Sequence, residues 1–210
     1  MKNRECFGSI GRVFVLMVFL LAACSSTSPS VKYYKLNTLA EMQQDVSEAV
    51  SGDHVAVGLG PVAFPKFLDR PQIVIRQSPN RVEVSEFHRW ASPLQGDFLR
   101  VLAKNISILL PMGRVAVYPW KDQDSPTYRI KLNVEQFDGQ FGKHVILDVT
   151  WAVAKQKDEN DPVVKNSLIK EPVTTEDYEA IAAAKSRAIA VLSQEIVSVI
   201  NTMSNKGKTP

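Results

Sequence analysis

Beyond position 24 this chain of 210 residues has no cysteine, since its only two are Cys6 and Cys24. The folded part therefore has no disulfide framework and no thiolate for metal binding or nucleophilic attack, and its core must carry its stability alone. Histidine is almost as scarce. His54, His88 and His144 stand at no metal-ligand spacing, so no metal, no cofactor and no catalytic residue is expected. Hydrolase elbows and phosphate loops are absent too. Gly58-Leu59-Gly60-Pro61 has the look of a loop, but Pro61 lacks the backbone N–H that a phosphate would need, so the glycine pair reads as a bend in a strand.

An excess of one charge is also lacking. The formal charge of +3 falls to +1 once residues 1–23, with Lys2, Arg4, Arg12 and Glu5, are set aside, which excludes nucleic acid as an expected partner. No hydrophobic run is long enough for a permanent membrane span. The longest, Val13 to Ala23, has 11 residues where about 20 are needed.

That short run follows a basic stretch and stops at small residues, the pattern of an export signal over residues 1–23. Leu21-Ala22-Ala23-Cys24 resembles a lipobox, in which the cysteine is diacylated and the chain is cut just before it. Cys24 is thus the expected lipidation site, with its covalent lipid the only attached group. Ser25 follows it, and in enterobacteria-like sorting a residue other than Asp there directs a lipoprotein to the outer membrane, facing the periplasm. Residues 24–30, rich in serine with one proline, read as a flexible tether.

The remaining composition, 45% hydrophobic and 22% charged across the whole chain, suits a single globular domain over residues 31–203, with a frayed tail at 204–210. Short strands are predicted near Lys32–Leu36, His54–Phe64 and Val115–Trp120. A hairpin is predicted where Gln72–Gln77 and Arg81–Phe87 flank Ser78-Pro79-Asn80, with Arg76 and Glu83 on its polar face. Tyr128–Phe137 and His144–Gln156 alternate apolar and polar residues and predict two long antiparallel neighbours, with Val163–Pro172 returning as a third. Met42–Asp53 reads as a loop or weak helical turn. Ser92-Pro93-Leu94-Gln95 opens a helix with Leu94, Phe98, Val101, Leu102, Ile106 and Leu109 on one face, and Thr174–Asp177 opens another with Ile181, Ile189, Leu192 and Ile196 on its buried stripe. The expected fold is α+β: an antiparallel-rich mixed sheet covered by two main helices, about 92–110 and 175–202.

For a connection between strands, Phe64-Pro65-Lys66-Phe67-Leu68 is unusually apolar, and Asp69-Arg70-Pro71 follows it. Phe67, Leu68, Asp69 and Arg70 are therefore candidate partner contacts, while the competing reading folds Phe67 and Leu68 under as a lid on the core. Trp90, Trp120 and Trp151 are expected in the core.

Several blocks together resemble one family: Tyr33-Tyr34-Lys35-Leu36, Gly60-Pro61-Val62, Pro65, Leu68-Asp69-Arg70-Pro71-Gln72-Ile73-Val74, Asn80, Arg89-Trp90-Ala91-Ser92-Pro93-Leu94 and Tyr118-Pro119-Trp120. They are similar to the PqiC family, also called YmbA or ABC-type transport auxiliary lipoproteins, over roughly residues 31–200. The resemblance implies a subunit of an intermembrane lipid-transport system and not an enzyme. Its implied partners are a periplasmic MCE-domain protein of the PqiB type and that protein's inner-membrane partner, and a homo-oligomeric ring matching the MCE ring is a further implication. The alternative function is a carrier that holds a lipid or other hydrophobic ligand itself. An envelope hydrolase ranks third.

Overall fold

The computed structural model describes residues 29–42, 56–110, 114–120, 126–156 and 161–206. Cys24, His54, the export signal and most of the expected tether lie outside the described residues.

The chain enters through β1 (Lys32–Tyr34) and makes one helical turn, α1 (Leu39–Met42). Strand β2 (Ala56–Ala63) precedes the hairpin of β3 (Gln72–Ser78) and β4 (Arg81–Trp90). Helix α2 (Leu94–Leu109) and strand β5 (Arg114–Val117) follow. The long strands β6 (Tyr128–Gly139), β7 (His144–Lys155) and β8 (Val163–Pro172) then lead to the final helix α3 (Tyr178–Lys206). The fold is α+β, as the periodicities predicted.

The strands are shared between two sheets. One has the order β1-β4-β3 and the other β5-β2-β6-β7-β8. Among the described residues three of the six pairings are parallel, β1 with β4 and β2 with both β5 and β6, so the antiparallel character is confined to the hairpin and the β6-β7-β8 meander. Parallel neighbours need a crossover rather than a turn, and turn signals in a sequence reveal only neighbours in sequence.

The meander forms because its alternation matches one covered face. Val145, Leu147, Val149, Trp151 and Val153 are all buried along β7. A bulge between Val134 and Gln136 changes the phase of β6, so that Phe137 and Asp138 both lie inside. Helix α2 buries Leu94, Phe98, Val101, Leu102 and Ile106. The rings of Phe64, Phe98 and Phe137 meet at centroid distances of 5.5 to 6.3 Å. The last helix continues past the expected end near residue 202 to Lys206, and Lys155 Nζ donates to the Met203 carbonyl (2.8 Å), meeting an orphan acceptor of its last turn.

The expected Ser92 cap is corrected. Pro93 occupies the cap position of α2 and no cap side chain bonds there. Arg76 is corrected as well: it is half-buried, and its guanidinium grips Asp138 of β6 across the seam between the two sheets (Nε to Oδ1, 3.0 Å).

Candidate functional site

The β2–β3 connection folds as a tight unit because its own backbone closes it. Leu68 N–H donates to Pro65 O (3.0 Å), Arg70 N–H to Leu68 O (2.9 Å), and Trp90 N–H to Pro71 O (2.7 Å). The four candidate contact residues divide within this unit. Leu68 is 1% exposed and belongs to the core, so the expectation that it meets a partner is corrected in favour of the lid reading. Asp69 is exposed, but its Oδ1 accepts from the Gln95 N–H in the first turn of α2 (3.3 Å), supplying from a distance the cap that Pro93 cannot give. Phe67, 45% exposed, and Arg70 remain on the surface.

A second constellation holds the segment after β1. Leu36 N–H donates to Asp97 Oδ2 (2.7 Å), and Arg100 Nη2 donates to Leu36 O (2.9 Å), so both polar groups of one buried residue are gripped by α2. Arg100 and Asp97 bond each other through Nε and Oδ1 (2.8 Å). Asn37 N–H reaches Ser186 Oγ of α3 (3.0 Å), and Leu39 N–H reaches Asn105 Oδ1 of α2 (2.7 Å). Thr38 and Glu41 cap α1 reciprocally: Thr38 N–H donates to Glu41 Oε2 (2.7 Å) and Glu41 N–H to Thr38 Oγ1 (3.3 Å). The Lys35 ammonium and the Thr38 backbone N–H hold the Glu41 carboxyl down at about 2. Nothing in the sequence identified Asp97 or Asn105, polar residues on the otherwise apolar buried face of α2. The Thr-x-x-Glu spacing was the one available signal.

At the seam between the sheets, Asp138 accepts from Arg76 and from Gln136 Nε2 (2.7 Å). Lys185 of α3 is 1% exposed; its Nζ donates to Phe137 O and lies 4.1 Å from the Phe137 ring centroid and 5.7 Å from that of Trp90. Burial pushes its ammonium down to about 7 against the opposing pull of Asp138.

His88 is half-buried, stacked on Tyr178 at 3.8 Å, with Nδ1 2.7 Å from the Tyr34 hydroxyl. Burial, reinforced by Lys32, pushes its imidazole below the ordinary histidine value. No cluster of three potential metal ligands occurs among the described residues. Ser167 accepts from Trp151 Nε1 (2.8 Å) and donates to Glu195, so its hydroxyl is held in a structural chain.

The blocks that carry the family resemblance converge at joints. Gly60 adopts φ +117°, and a Cβ there would stand 2.8 Å from Tyr118 Cβ, while Tyr118 N–H donates to Leu59 O (2.9 Å). A Cβ on Gly58 would stand 3.2 Å from the Trp120 ring. Ala91 N–H donates to Tyr34 O (2.7 Å), and Trp90 is buried above Lys185. These motif residues close β1 onto β4 and β2 onto β5.

The described residues build a two-sheet α+β domain whose motif residues lie at the joints between its elements. Two solved structures share the fold: an uncharacterised protein at TM-score 0.66 and 19% identity, covering 82% of this chain and 99% of that one, and a Xanthomonas campestris protein at TM-score 0.61 and 16% identity, covering 87% and 99%. The profile of the family described as "ABC-type transport auxiliary lipoprotein component" matches residues 34–197, and the chain belongs to that family. It is 28% identical over 182 residues to the intermembrane transport lipoprotein PqiC of Escherichia coli K12 and to that of Shigella flexneri, spanning 84% of this chain and 91% of each relative.

Proposed function

We propose that this protein is the outer-membrane-anchored lipoprotein subunit of an MCE-type intermembrane phospholipid transport system, docking the far end of the periplasmic conduit as a scaffold and not as an enzyme. The observation that carries the reading is the family match across residues 34–197 in a chain whose lipobox cysteine, Cys24, lies seven positions before Val31. A lipid on Cys24 serves as anchor, and the domain works from the periplasmic face. The partners are an MCE-domain protein of the PqiB type and its inner-membrane partner. A ring of copies of this chain is the arrangement suited to an MCE ring. Phe67 and Arg70, exposed beside a rigid turn, are the contact residues retained from the β2–β3 loop.

Affinity isolation of the lipidated protein from cross-linked envelopes, followed by mass spectrometry, tests this. The MCE-domain protein and its inner-membrane partner should co-purify, and the mature N-terminal residue should be acylated Cys24. Recovery of the protein alone would sink the docking role.

The carrier reading has one observation in its favour, a groove of about 660 Å³ between β8 and α3 with Val163, Val199 and Met203 near Lys155 and Lys165. Near-stoichiometric lipid in an organic extract of the purified protein would favour it.

A further inference from the structure

The chain enters the domain beside an exposed apolar surface. Strand β1 is the edge of the three-stranded sheet and pairs in parallel with β4, Lys32 opposite His88 and Tyr33 opposite Arg89. Continuing that register sets Val31 beside Phe87. Alternation along β1 turns Tyr34 inward, toward His88 and Tyr178, and leaves Val31 and Tyr33 on the outer face. There Val31 is 39% exposed, Tyr33 66% and Phe87 42%.

The fold goes out of its way to present Phe87. Between the pairs Val74 with Val84 and Gln72 with Arg89, β3 advances two residues while β4 advances five. The surplus bulges outward, held by the His88 N–H on Ser85 Oγ (3.1 Å) and by Arg89 Nε on the Glu86 carbonyl (3.3 Å). Bulges of this kind re-aim side chains.

What covers this surface follows from where the chain leads. Seven residue steps separate Val31 from Cys24, and a fully extended segment of that length reaches at most about 25 Å. If Cys24 carries lipid, Val31 and its neighbours are held that close to the acyl chains. Tyrosine and phenylalanine beside Arg89, the register partner of Tyr33, are the side chains that settle at the headgroup level of a bilayer, with rings among the upper methylenes and the cation at the phosphates.

We propose that Val31, Tyr33 and Phe87 form a membrane-contact surface that seats the domain against the phospholipid leaflet holding its anchor. The proposal rests on lipidation of Cys24. It fixes the orientation of the domain, with the β1 edge of the three-stranded sheet lying on the lipid.

The test uses the full lipidated protein in phospholipid vesicles. Tyr33→Cys and Phe87→Cys, with Leu168→Cys on β8 as comparison, are each labelled with a polarity-sensitive fluorophore, all three parent residues being exposed. Vesicle binding should shift the emission at 33 and 87 to the blue and allow its quenching by lipids spin-labelled near the headgroup, with neither effect at 168. Vesicle-bound protein whose probes at 33 and 87 remain water-like would overturn the proposal. Shielding of those probes from aqueous iodide before any vesicle is added would also overturn it, because a second copy would then be the cover. An N-terminal residue without acyl chains, on protein that does not float with vesicles, would remove the anchor reading itself and the proposal with it.

Discussion

Along β7 every second residue from Val145 to Val153 is buried, whereas β4 passes from exposed to half-buried to buried with no fixed period. The difference comes from their neighbours. Strand β7 lies between two long antiparallel partners: it keeps one register with β8 along its length, and the bulge in its other ladder falls on β6, so its own alternation is unbroken. Strand β4 lies between the three-residue β1 and the shorter β3, carries a bulge, and shares its ladder with the strand that meets the other sheet, β3, at the Arg76–Asp138 seam. Regular alternation marks the part of the molecule that only packs. Irregularity marks the part that joins elements and presents side chains.

Substitutions can break this contrast, and the largest effect belongs to the packed region. Phe98→Ala empties a site with no solvent exposure between Phe64 and Phe137, and should cost about 3–5 kcal/mol, read from urea unfolding. At the seam, Asp138→Ala removes the buried carboxylate that Arg76 and Gln136 both bond and whose charge opposes the desolvation of Lys185, and should cost about 3 kcal/mol by the same measurement.

Lys185 adds a sign to the seam's behaviour. Its folded-state value of about 7 lies below the ordinary 10.5, so between those limits the unfolded chain binds more protons and stability rises with pH. The thermal midpoint should climb from pH 7 to pH 9.5 in the native protein. In Lys185→Met that climb should vanish, and the midpoint at pH 7 should already be higher.

Smaller effects separate the members of the β2–β3 loop. Asp69→Ala removes the remote cap of α2 and should lower stability by about 1 kcal/mol, while Arg70→Ala should change it by less than about 0.5 kcal/mol in the same assay. Equal losses from the two would mean that the loop is held in some other way. Tyr33→Ser should be the mildest, also within about 0.5 kcal/mol, since its ring is mostly in solvent.

The same contrast explains what could be read in advance. The alternation of β6 and β7 and the apolar stripe of α2 each report one covered face, and a local pattern is enough to see that. The split into two sheets was hidden because β2 pairs with β5 and β6 across long crossovers. In the candidate site, the apolar character of Phe67 and Leu68 was visible, but which of them turns inward depends on the closure of Leu68 onto Pro65. Asp69 looked like a surface charge because its partner, the Gln95 N–H, is 26 positions away. Asp97 and Asn105 likewise look out of place on their helix until the segment they hold, Leu36 to Leu39, is laid against them.

That grip has a mechanical meaning. Any tension arriving from an anchor at Cys24 enters through β1, whose three residues alone would peel from β4 one bond at a time. At Leu36 the load passes instead into Asp97 and Arg100, and at Asn37 into Ser186, so both long helices share it within two residues. Under such a load β1 would yield first, and the chain beyond it would stay held to both helices.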